Sequence, residues 1–170
     1  MLKSPESVRF TGSRTGTHYP IPPQKIPFDR IDCGWRPPSG EAPWVTVAVS
    51  LYLDPATAHE KARSWFADAL DFSVDRAEQI PSEAVRVAER ATPYDSAYVV
   101  ADADDAEVTG GTDSLSQTTL VGNAVITVTL FEKRNPAHGG SPRADELMTS
   151  LTATSEAITA EVAGQLVSRT

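Results

Sequence analysis

Along "WVTVAVSLYLD", residues 44–54, apolar and polar positions alternate, and Val45, Val47, Val49, Leu51 and Leu53 fall on one side. A period of two marks a half-buried β-strand. The preceding "IDCGW" puts Ile31, Cys33 and Trp35 on one face, with the Pro/Gly loop "RPPSGEAP" between the two strands. If both apolar faces lie on one side of an antiparallel pair, Trp35 stands opposite Val45 and Cys33 opposite Val47. Cys33 then points into the core. "QTTLVGNAVITVTLFEK" carries Gly122-Asn123 between two β-rich runs, which predicts a hairpin with a primed turn.

The period changes to that of a helix twice. Asp54-Pro55 suits an N-cap followed by a first helical residue, and Ala58, Ala62, Trp65, Phe66, Ala69 and Leu70 form the expected buried stripe. From Arg143 onward, Leu147, Leu151, Ile158, Val162 and Leu166 mark a second long amphipathic helix. Between them, "AVRVAERA" and "SAYVVAD" read as short strands around "TPYD", and "DADDAEVTGGTDSLS" reads as a surface loop. At the start, "SPESVRFTG" predicts a short helix capped by Ser4 and stopped at Gly12. "YPIPPQKIP" predicts an extended arm packed over the body, and its Pro20–Pro23 spacing also suits a polyproline ligand.

These elements make an α+β fold in which one antiparallel sheet carries both long helices on one face. The expected organisation is a single domain over 1–170, with the short helix and Pro-rich arm in 1–30 and the sheet-and-helix body in 31–170. A chain of 170 residues is long enough to bury a core without metals or several disulfides.

The net charge of −8 disfavours a nucleic-acid partner, because the chain repels phosphate. Its distribution is uneven. Lys3, Arg9, Arg14, Lys25, Arg30 and Arg36 against Glu6, Asp29 and Asp32 leave residues 1–40 at +3 and the remainder at −11. A basic arm lying on an acidic body neutralises both, and a basic docking surface is the alternative. No apolar run approaches the about 18 residues of a transmembrane span. "MLKSPESVRF" lacks the apolar stretch of a signal peptide, so the chain taken literally is cytoplasmic.

Several chemistries fail on their residues. "HEKAR" begins like a zinc-protease helix, but Arg63 occupies the second ligand position, and His18 and His138 have no ligand spacing. "DADDAE" places Asp102 and Asp104 as a calcium loop would, yet Ala106, Glu107 and Asp113 stand where ligand, Gly and Glu belong. There is no P-loop, dinucleotide fingerprint, GxSxG or SxxK. A nucleophilic Cys33 would need an exposed thiolate beside a base, against its inward position. The sequence therefore implies no catalytic residue, no metal and no cofactor.

One surface is a candidate for binding. Opposite the valines, the second strand presents Trp44, Thr46, Ser50 and Tyr52, and the last strand presents Thr127, Thr129 and Phe131. If these faces coincide, the sheet has an open side rimmed by aromatics that suits a small apolar or peptide-like ligand. The plain alternative is the solvated face of an antiparallel sheet.

The order of "MLKSPESVRFTG", "CGW", "WVTVAVSLY", "LVGNAVITVTL" and the helix 143–168 resembles a family of small actinobacterial cell-envelope lipoproteins of unknown function. In that family a first Cys opens the mature domain and a second precedes Trp. Sensor domains of some mycobacterial kinases look like more distant relatives. The resemblance implies a secreted, non-enzymatic binding or sensor module of the cell envelope, with an unknown small apolar ligand or an envelope protein as partner. It implies structural roles for Cys33 and Trp35. This chain shows no first Cys and no lipobox. It thus implies either an orphaned half-cystine in an N-terminally shortened domain or a buried free thiol in a cytoplasmic interaction or accessory protein.

Overall fold

The computed structural model describes residues 9–10, 28–36, 44–52, 54, 56–80, 84–103, 112–133 and 143–167. In chain order they form β1 (Arg9–Phe10), β2 (Phe28–Arg36), β3 (Trp44–Tyr52), α1 (Ala58–Gln79), β4 (Val85–Arg90), β5 (Ser96–Asp102), β6 (Thr112–Val121), β7 (Ala124–Lys133) and α2 (Ala144–Val167). All strands join one antiparallel sheet in the order β1-β2-β3-β7-β6-β5-β4. The α+β class, with a single antiparallel sheet and two long helices, is as expected.

The register of the β2–β3 pair is the expected one, with Cys33 opposite Val47 and Trp35 opposite Val45. Gly122 and Asn123 turn between β6 and β7. Gly122 has φ +58°, and no other described residue has positive φ, so the turn has the form in which Gly takes the first central position. The Gly122 N–H donates to Asp95 Oδ2 at 2.6 Å, and Asn123 Nδ2 donates to the Tyr52 carbonyl at 2.7 Å. The turn is thereby tied to the end of β3.

The two helices do not share a face, which corrects the expected arrangement. One row across β2, β3, β7, β6 and β5 is Cys33, Val47, Val128, Gln117 and Val99, and the next is Asp32, Ala48, Thr127, Thr118 and Tyr98. Neighbouring rows point to opposite sides. Leu151, Ile158, Val162 and Ala163 of α2 pack with Val45, Val47, Ile126 and Val128 on the first side. Ala58, Ala62 and Phe66 of α1 pack with Tyr52, Tyr98, Leu120 and Val125 on the second. Phe66 meets Tyr98 edge to face at 5.2 Å between ring centres. The physical reason is that β5 to β7 carry apolar residues on both sides, as in Val99 and Val100 or Val125 and Ile126, so both faces have surface to bury.

Four further expectations change. Arg9–Phe10 lie in a strand against Trp35 and Arg36 rather than in a helix, while the rest of Ser4–Gly12 and the Pro-rich arm fall outside the described residues. β2 already begins at Phe28, inside the span expected of the arm. Thr112–Ser116, expected in a loop, open β6, where Thr112, Asp113 and Leu115 are buried. α1 starts at Ala58, because Asp54 closes a turn first: its carboxylate accepts from Thr57 Oγ1 at 2.7 Å and Ala56 N at 3.1 Å. Those two hydrogen bonds, the Thr57 hydroxyl foremost, hold the Asp54 carboxyl below its ordinary range.

Against the sheet, the centre of α2 is polar. Thr152, Ser155 and Thr159 are buried on it, Ser155 Oγ lies 2.7 Å from Gln117 Oε1, and Gln117 Nε2 donates to Thr119 Oγ1 at 3.3 Å. Thr159 Oγ1 has no hydrogen-bond partner among the described residues. A buried unmade hydrogen bond costs about 1–3 kcal/mol, and valine has the same shape without the hydroxyl. Thr159→Val is therefore expected to stabilise the protein by about 1 kcal/mol or more in a urea titration. A lower midpoint in the variant would overturn this reading of the site.

Candidate functional site

α1 crosses its face obliquely. It starts beside Tyr52, Leu120 and Val125 and ends where Arg76 Nη2 meets Asp102 Oδ2 at 2.8 Å. Tyr52 and Ser50, both expected in an open site, are consequently 6% exposed, Tyr52 packing in the α1 cluster. This corrects two of the seven expected contact residues. Burial also pushes the Tyr52 phenol up, so it stays protonated at neutral pH.

The far end of the same face bears the other five. Trp44 stands opposite Phe131, and Thr46 opposite Thr129, across the β3–β7 pair. The Trp44 and Phe131 rings stack at 5.0 Å and 20°. Thr46 is exposed, while Trp44, Thr127, Thr129 and Phe131 are half-buried. Cross-strand hydroxyl pairs link this floor to β6, Ser116 to Thr129 at 2.9 Å and Thr118 to Thr127 at 3.3 Å. On β2, Arg30 and Asp32 pair at 3.0 Å at the border of the surface. From Trp44 to Ala48 the floor runs about 13 Å along the strand, and from β2 to β6 about 14 Å across.

The α1 flank beside this floor carries Trp65, expected in the buried stripe, and Phe72, which the expected stripe does not include. Trp65 is 38% and Phe72 70% exposed. They are seven residues apart, on the same flank as Arg76, with Leu70 and Val74 on the other. The hand of the chain decides where each flank looks. The Tyr52 N–H donates to Asn123 O at 3.0 Å, which fixes the side of β3 on which β7 lies for a viewer facing α1. For a right-handed helix running with β5, the Trp65–Phe72 flank then turns toward β7 and β3, and the Leu70 flank toward β4. The floor and this flank form the two sides of one trough. An i, i+7 pair of aromatics beside the Ala58–Ala62–Phe66 stripe was the available sequence signal.

Cys33 lies on the α2 side of the sheet, as expected, and is only partly buried. Burial, and next to it the Asp32 carboxylate, push its thiol up, away from the reactive thiolate. His59, the one described histidine, sits exposed on α1 on the other side. Trp35 packs against the α2 core. No group of three or more metal-ligating side chains occurs among the described residues, and none of their helices is long and apolar enough to cross a membrane. Comparisons with protein-family models, with curated proteins and with solved structures return no match.

Proposed function

We propose that this chain is a non-enzymatic binding or sensor module, and that it presents the part of the sheet face left uncovered by α1 to a ligand. One observation carries the reading: the stacked Trp44 and Phe131, with the hydroxyls of Thr46, Ser116, Thr127 and Thr129 on three strands, stay exposed or half-buried beside a helix that packs on the same face. A sheet floor holds such groups more rigidly than a loop would. The order of CGW, valine-rich strand, Gly-Asn hairpin and terminal helix supports a place for the module in the cell envelope.

The test is a thermal-shift comparison of the wild type with Thr127→Trp. The probes are decanol, the capped tripeptide Leu-Phe-Leu, and the neutral trisaccharides maltotriose, cellotriose and chitotriose. Thr127 is half-buried on the face away from the α2 core, so the larger side chain fills the trough without entering that core. At least one probe is expected to raise the melting temperature of the wild type, and the variant to lose that response while melting within a few degrees of it. Equal responses in both proteins, or none in either, would reject this surface.

A further inference from the structure

Charge is sorted between the two sides of the sheet. On β1, β2, β3 and β7 the positions of the α1 side hold four cations, Arg9, Arg30, Arg36 and Lys133, against the single carboxylate of Asp32. That is a balance of +3 in a chain whose net charge is −8. The α2 side of the same strands holds Asp29 and Glu132 and no cation. Arg30 and Asp32 pair with each other, so the surplus is Arg9, Arg36 and Lys133. All three stand at the Trp44–Phe131 end. Arg9 is directly opposite Arg36, which follows Trp35 and so comes level with Trp44, and Lys133 lies two residues beyond Phe131. The carboxylate on the same row, Asp102 of β5, meets Arg76 at 2.8 Å. Like charges facing each other across neighbouring strands destabilise the pair, and an anion shared between them turns repulsion into attraction.

We infer that the Trp44–Phe131 end of the α1 side docks a short, extended, acidic segment of a partner protein. Strand spacing and rise put Arg36 about 12 Å from Lys133, which an extended chain covers in about four residues. Two carboxylates that far apart reach both cations, and an apolar side chain between them lies over the stacked rings of Trp44 and Phe131. The surplus is local. Beyond a Debye length of about 8 Å, a long polyanion such as a nucleic acid meets the rest of an acidic chain and is repelled, whereas a short segment meets only the cations. An inorganic anion would leave the two rings unused. The inference rests on the proposed binding function and names the chemistry of the partner.

Three tryptophans make the test direct. Their indole N–H signals, assigned with single Trp→Phe variants, are followed in nitrogen-15 spectra. The probes are the capped pentapeptide Glu-Leu-Phe-Leu-Glu and its uncharged counterpart Gln-Leu-Phe-Leu-Gln. The acidic peptide should move the Trp44 signal along a saturating curve and leave that of Trp35, on the opposite side of the sheet, in place. It should bind about tenfold or more tightly than the Gln peptide in about 20 mM salt, and lose most of that advantage at about 0.5 M. Lys133 is exposed, so Lys133→Glu should remove the preference with the melting temperature nearly unchanged, and Arg36→Glu should remove it as well. If the acidic peptide binds no better than the neutral one, the acidic inference falls, and a response to any neutral probe leaves the binding module standing. If no probe acts at all, both fall. A preference that survives both charge reversals, or a Trp35 shift equal to that of Trp44, overturns the assignment to this end of the sheet. No binding of the acidic peptide together with a lower melting temperature in Lys133→Glu would mean that the chain's own carboxylates neutralise the surplus, which also overturns it.

Discussion

Alanine in place of Phe66 is expected to lower the unfolding free energy by about 3–5 kcal/mol. Phe66 is 7% exposed, lies at the middle of the buried stripe of α1 and meets Tyr98 edge to face. Removing it opens a cavity between helix and sheet, where Tyr52, Leu120 and Val125 lose an aromatic neighbour. The other side chains that α1 buries on the sheet are small, Ala58 and Ala62, so nothing nearby can expand to fill the gap. Equilibrium unfolding in urea measures the loss. A change below about 1 kcal/mol would show that Phe66 does not hold α1 to the sheet.

Ile126→Ala should cost about 2–5 kcal/mol on the other side of the sheet. Ile126 is fully buried and stands opposite Val49 and Thr119, in the core shared with α2. The relation between the two sites tests the architecture itself. The milder Phe66→Leu and Ile126→Val keep the double variant folded, and their effects should add to within about 0.5 kcal/mol, because the two side chains point to opposite faces and share no partner. Strong coupling would mean one common core, and hence both helices on one side.

Local pattern and tertiary packing part at this same point. Alternation in Val45, Val47 and Val49 was enough to put Cys33 opposite Val47, because a one-residue slip would turn every valine to the wrong side. Gly122-Asn123 was legible because few other residues take the backbone angle that Gly122 adopts. The start of β6 was not legible. Thr112, Asp113 and Ser114 are polar and follow an acidic, Gly-containing run, and only pairing with Lys133, Glu132 and Phe131 of β7, and of Ser114 with Asp102, makes them strand. Local chemistry favoured a loop there, and tertiary pairing outweighed it.

The candidate surface was half legible. All seven expected residues do share one face, since alternation determines that much. Helix periodicity could not say that α1 would cover Ser50 and Tyr52, nor that Trp65 would stay exposed beside Phe66. Adjacent helical positions differ by about 100° in direction, so a stripe drawn around Phe66 includes Trp65 unless the width of the contact is known.

What the amino-acid order determined alone is local and periodic: the strands with alternating valines, their register, the glycine turn and the two long helices. The tertiary structure decided which side of the sheet each helix takes, and so which part of the α1 face stays uncovered by that helix. The reason is that alternation distributes side chains to two faces without ranking them. Here both faces are apolar enough to bury, and the choice rests on how the whole chain closes around the sheet.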